Sequence, residues 1–121
     1  MYLSENFLLK EFTCRCGRGE CDAPKRPHPA LIERLEELRS LWGKPLVINS
    51  GIRCDWWNAF WKGAPKSQHI LGKAADIRVK DKRQAQTLAS LAEQVGFKGI
   101  GVGETKLHLD VRAGKPAKWE Y

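Results

Sequence analysis

The chain has 121 residues, a net charge of +7, and 42% hydrophobic against 29% charged residues. That is chain enough for one core but not two, and too apolar for a disordered tail, so a multidomain enzyme is excluded and one domain over residues 1–121 is expected. The excess of 21 Lys and Arg over 14 Asp and Glu points to an anionic partner, either nucleic acid or a cell-wall polymer.

In chain order, the opening Met1-Tyr-Leu-Ser-Glu-Asn-Phe7 lacks the basic start, apolar run and small-residue cleavage site of a secretory signal. Synthesis in the cytoplasm with nothing removed is therefore expected. No stretch reaches the roughly 18 apolar residues of a membrane span. Leu3, Phe7, Leu8 and Phe12 recur at helix-like intervals, after which Gly17, Gly19, Pro24, Pro27 and Pro29 impose an irregular connection. That connection carries Cys14, Cys16 and Cys21, while Cys54 lies far along the chain. The four permit free thiols, disulfides or a zinc knot. C-x-C-x4-C is not the usual paired C-x2-C spacing, and without a secretory signal a reduced state is expected at synthesis.

From residue 29 to 42, Leu31, Leu35, Leu38 and Trp42 fall on one helical face, with Pro29 at the start and Gly43 as the stop. Residues 45–50, bounded by Pro and Gly, read as a short buried strand, and 74–79 as another. Between them, 54–72 reads as a short helix and loop whose Trp56, Trp57 and Trp61 form a packed wall, more core than binding surface. Residues 82–95 place Ala85, Leu88, Ala92 and Val95 on one face, ending at Gly96. Strands at 99–103 and 106–112, with a tight turn near Glu104, complete the fold as an antiparallel hairpin.

Two of the three histidines stand close to carboxylates. His69 ends a loop, Asp76 enters a strand, and Gly72 lets the chain turn between them. In His108-Leu-Asp110, two-residue alternation puts both polar side chains on one face and Leu107, Leu109 and Val111 on the other. If these strands are neighbours, two imidazoles and one carboxylate meet. With an open fourth position for water, that is a ligand set for catalytic zinc, which would lower the water's pKa toward about 7 and polarise an amide carbonyl.

Ser50-Gly51-x-Arg53, Asn58, Ser67-x-His69-x2-Gly72-x-Ala74-x-Asp76, Gly99-x-Gly101-Val-Gly and His108-x-Asp110-x-Arg112 together resemble the zinc-dependent peptidase family M15, in its D-Ala-D-Ala carboxypeptidase-like branch. The likeness spans nearly the whole chain. It implies an α+β fold of the hedgehog/DD-peptidase type, a small and mainly antiparallel sheet with helices packed on one side. It also implies Zn2+ held by His69, Asp76 and His108, and hydrolysis of peptidoglycan stem peptides by a carboxypeptidase or endopeptidase. Arg53 matches the arginine that binds substrate or stabilises the developing oxyanion, while Ser67 and Gln68 line the cleft.

Many family members carry a carboxylate three residues before the last zinc-binding histidine, where this chain has Thr105. Two carboxylates remain as general base: Asp110, which shares a strand face with His108 and is favoured, and Glu104 in the turn just before. Asp110 has the alternative of orienting His108. A monomer acting at the cell wall after release, as a phage lysis protein or on a virion, reconciles basicity with cytoplasmic synthesis and requires no nucleic acid. The rivals are a non-catalytic zinc-binding module of the same fold and a small nucleic-acid-binding domain.

Overall fold

A computed structural model describes residues 1–19 and 21–121. Helix α1, Pro29–Trp42, forms where the apolar spacing predicts it and buries Leu31, Ile32, Leu35 and Leu38. Its first residue is a proline, whose missing N–H costs nothing there. The remaining histidine, His28, accepts a hydrogen bond from Ala30 N at 3.1 Å through Nδ1, so it is a helix cap. Helix α3, Lys82–Gln94, is capped by Asp81, which accepts from Gln84 N at 2.8 Å, and it buries Ala85, Leu88 and Ala92.

Five strands, β1 (Ile48–Ser50), β2 (Ala74–Arg78), β3 (Gly99–Val102), β4 (Lys106–Asp110) and β5 (Ala117–Glu120), form one sheet in the order β1-β2-β4-β3-β5. All neighbours are antiparallel except β3 and β5. This is the α+β architecture expected. Alternation along the strands separates the two faces. Ala75, Ile77, Ile100, Leu107 and Leu109 join the helix side chains in the principal core. Asp76, His108, Asp110, Gly99 and Gly101 stand on the opposite face.

Three features depart from expectation. The N-terminal segment holds only a single 3-10 turn, Leu9–Glu11. Phe7 and Phe12 are buried against each other edge to face, but by a fold-back in which Leu3 N donates to Phe7 O and Leu9 N to Met1 O. The apolar residues are used, not their helical period. Strand β5 was not foreseen, because Pro116 and a four-residue run give little alternation to read. The tryptophan wall is not core. In the short helix α2, Asp55–Phe60, and the residue after it, Trp56, Phe60 and Trp61 are 47%, 59% and 59% exposed. Trp56 and Phe60 stack with half-buried Trp57 at the surface and Trp61 meets it edge to face, since a six-residue helix presents more aromatic surface than the sheet can cover.

Candidate metal centre

The centre begins with strand register. Asp76 of β2 lies directly opposite His108 of β4, and both side chains leave the sheet on the face away from the helices. His69 arrives from the loop before β2. Its backbone is fixed by Ser67 Oγ, which accepts from His69 N at 3.1 Å, and by Arg53 N, which donates to His69 O at 3.1 Å.

The rings are oriented from behind. His69 Nδ1 donates to Gly51 O at 2.6 Å, leaving Nε2 at 3.2 Å from Asp76 Oδ1. His108 Nε2 donates to Asp110 Oδ2 at 2.7 Å, leaving Nδ1 at 3.2 Å from the same Asp76 oxygen. A carbonyl and an ionised carboxylate can only accept, so they set which nitrogen of each neutral ring carries the hydrogen. The other nitrogens then present lone pairs to Asp76 Oδ1. Three buried lone pairs within 4.8 Å of one another repel unless a cation joins them. Neutral imidazole nitrogens backed by a carbonyl and a carboxylate, plus one carboxylate oxygen, are the donor set and the supporting shell that zinc takes. The residues fit the metal.

Protonation follows the same geometry. In the metal-free chain a proton between ring and carboxylate takes the cation's place: burial pushes the Asp76 pKa up, but the hydrogen bonds then made with His108 and His69 outweigh it and hold the carboxyl well below its usual range. Burial lowers the pKa of His108, yet its bonds to Asp110 and Asp76 prevail and raise it above the ordinary value. Arg53 adds charge to the far oxygen: Nη2 donates to Asp76 Oδ2 at 3.0 Å and Nε to Ser50 Oγ at 3.0 Å. Its Nη1 sits 3.5 Å from Oδ1 of buried Asn58, whose Nδ2 donates to Ala64 O at 2.8 Å.

Asp110 shares the His108 strand face, as expected, but its carboxylate does not reach open space. It is fully buried. Oδ1 accepts from Arg112 N and Nε at 3.1 and 2.9 Å, and Oδ2 from Arg112 Nη2 and His108 Nε2, both at 2.7 Å. Burial raises its pKa, but these partners win and keep it ionised. With every acceptor direction occupied, it has no site to receive a proton from a substrate or water in the cleft, so the orienting arrangement is the one found. Glu104 is exposed in the β3–β4 turn and lies outside the lining of the cleft.

That cleft, of about 590 Å³, opens over His69, Asp76 and His108 and is lined also by Arg53, Ser67 and Gln68. Gln68 lines it with its Oε1 buried and without a hydrogen-bond partner among the described residues, an unsatisfied acceptor of the kind that calls for a functional explanation. Lys62, Lys66, Lys106 and Arg112 also line it, and among the described lining residues Asp76 is the sole carboxylate.

Sequence reading missed Lys106, Trp119 and Tyr121 in this wall. Two-residue alternation back from His108 would have found Lys106. Trp119 lies 5.1 Å from the His108 ring because β5 pairs with β3, a tertiary fact. Two glycines make the room: a Cβ on Gly99 would overlap the Asp110 carboxylate, and one on Gly101 would meet the Trp119 indole at 2.5 Å.

In comparison with known proteins, a family model described as Peptidase M15 matches residues 5–112. No curated protein matches the chain.

Proposed function

Because the chain belongs to the peptidase M15 family, whose members are metal-dependent hydrolases of peptide bonds, we propose that it is a zinc metallopeptidase of the D-Ala-D-Ala carboxypeptidase-like branch. Its substrate would be an amide bond in a bacterial peptidoglycan stem peptide, cut as a carboxypeptidase or an endopeptidase. The observation that carries this reading is the convergence of His69 Nε2, Asp76 Oδ1 and His108 Nδ1 at the floor of a cationic cleft.

Zinc bound by these three atoms would act as a Lewis acid on the scissile carbonyl and activate water at neutral pH. The chain supplies the rest. Arg53, locked by Ser50 and Asp76, is a fixed cation for the negative charge that develops on the carbonyl oxygen. Lys62, Lys66 and Lys106 attract stem-peptide carboxylates. Gln68 Oε1 accepts from a substrate amide N–H, and Ser67 shapes the turn that presents it. Trp61 and Trp119 give the cleft apolar walls that orient substrate and exclude water. Asp110 holds the tautomer of His108; neither carboxylate weighed as general base lines the cleft, and Glu104→Ala tests the exposed one.

No helix among the described residues is long and apolar enough to cross a membrane. Delivery to the wall through a phage-made lesion, or on a virion, fits the basic charge, which would hold the protein on anionic wall polymers.

The test is mass analysis of purified muropeptides incubated with the zinc-loaded wild type, His108→Ala and Glu104→Ala. Release of a D-alanine or a cross-bridge fragment by wild type and not by His108→Ala is expected, and the fragment's mass identifies the bond cut. One observation favours a second reading, a zinc-binding module without catalysis: the single carboxylate lining the described cleft is Asp76, which is engaged with Arg53 and the two histidines. A zinc-loaded wild type that binds muropeptides yet releases nothing would establish that reading instead.

A further inference from the structure

The four cysteines play no part in the cleft, yet they meet. Cys14, Cys16 and Cys21 come from the irregular loop at residues 13–28 and Cys54 from the residue before α2, and their sulfurs all lie within 4.8 Å of one another. We propose that these four thiols form a second, structural metal site that binds zinc as a tetrathiolate.

Geometry, surroundings and need agree. Four sulfurs at the Zn–S distance of about 2.3 Å sit on a tetrahedron with edges of about 3.8 Å, so only a slight contraction is required. Two disulfides would draw the sulfurs into separate pairs, whereas here all four lie within 4.8 Å of one another and are unbonded. Gly17, at φ 70, turns the chain directly after Cys16, on the path that brings Cys21 back to Cys14 and Cys16. Backbone donors are already aimed at the sulfurs: Cys54 N at Cys14 Sγ, 3.3 Å, and Trp57 N at Cys54 Sγ, 3.4 Å. Such N–H groups offset the negative charge of metal-bound thiolates. Ala23, Ile52 and Trp57 pack around them as a small apolar cluster separate from the main core. Outside the sulfurs, Ala23 and Pro27 are the buried residues in the described part of this loop, too little apolar surface to order a long stretch without helix or strand.

Four thiolates leave no open position, so the site is structural and distinct in chemistry from the nitrogen and oxygen set of the cleft. Its consequence is positional. Cys54 follows Arg53 and caps α2 with its sulfur, so the metal would tie the loop to the point from which Arg53 enters the cleft.

The experiment loads wild type and the His69→Ala/His108→Ala double variant with zinc, then with cobalt, under reducing conditions. The double variant is expected to keep one zinc per chain and to release it when a mercurial titrates its thiols. The cobalt form of both proteins should show intense thiolate-to-metal charge-transfer absorption in the near ultraviolet, and Cys21→Ser should lose it. A cobalt-loaded wild type without that absorption overturns the proposal, whether or not the variants fold. So does a purified wild type whose intact mass is four hydrogens low, the signature of two disulfides. Either failure leaves the cleft's own metal untouched, so the two sites are judged separately.

Discussion

Asp110 lies on the His108 strand face, buried behind the ring rather than over the cleft. Its acceptor positions are filled by His108 and Arg112, an arrangement that leaves His108 Nδ1 toward Asp76 and from which we infer an orienting role. Asp110→Asn can turn an N–H toward Nε2 and so reverse the tautomer. Its zinc affinity should fall about 10–100-fold, read by competition with a chelator, and an unchanged affinity would contradict the orienting role. Gln68 should behave in the opposite way. An unpartnered buried acceptor costs about 1–3 kcal/mol, so Gln68→Leu should match or exceed wild-type stability in thermal unfolding while raising KM for a stem peptide. Lower stability with unchanged KM would deny it a substrate contact.

The same residues set a pH dependence for the metal-free protein. His108 has a folded pKa raised above 6.5, so its contribution is complete below that value and lost as pH rises through the raised one. Asp76 and Asp110 have folded pKa values depressed below 3.8. Their contribution is present above 3.8 and lost as pH falls through the depressed values. The melting temperature of the chelator-treated protein should therefore peak between these limits. The loss on the alkaline side should vanish in His108→Ala, and a melting temperature that keeps rising through neutral pH would refute the assignment.

At the scale of elements, β3 is shaped by what it lacks. Gly99→Ala drives a methyl into the Asp110 carboxylate, and Gly101→Ala drives one into the Trp119 indole. Each should cost about 1–3 kcal/mol in urea unfolding, as overpacking does. They differ in function: Gly99→Ala should weaken zinc binding as well, since it disturbs the carboxylate behind His108, whereas Gly101→Ala should keep zinc and lose kcat/KM as the cleft wall shifts. Equal zinc affinities in the two variants would show that Asp110 tolerates displacement. The elements legible beforehand were those with a long period to read. Helices α1 and α3 repeat their apolar residues over three turns or more, and β4 alternates cleanly. The N-terminal segment carried the same residue types without enough turns to commit to a helix, and β5 gained its strand form only by pairing with β3.

For the molecule as a whole, charge and cleft are linked. Five cations, Arg53, Lys62, Lys66, Lys106 and Arg112, line the cleft beside Asp76, so the basic balance of the sequence is concentrated where substrate would enter. Hydrolysis of a carboxylate-bearing stem peptide should slow as ionic strength rises from about 0.01 to 0.15 M, over which the screening length shrinks from about 30 to 8 Å. An amidated peptide should show a weaker dependence, and identical salt curves for the two would remove the electrostatic role.

The sequence by itself determined the two long helices and the candidate donor types at His69, Asp76 and His108, because side-chain period and residue chemistry are carried locally along the chain, while its family resemblance implied the α+β fold. Tertiary structure alone decided which nitrogen of each ring is free, that Asp110 lies behind His108, that Trp119 walls the cleft and that Cys54 joins three distant cysteines. Those outcomes depend on strand register and on contacts between residues far apart in sequence, which only packing the chain into one body brings about.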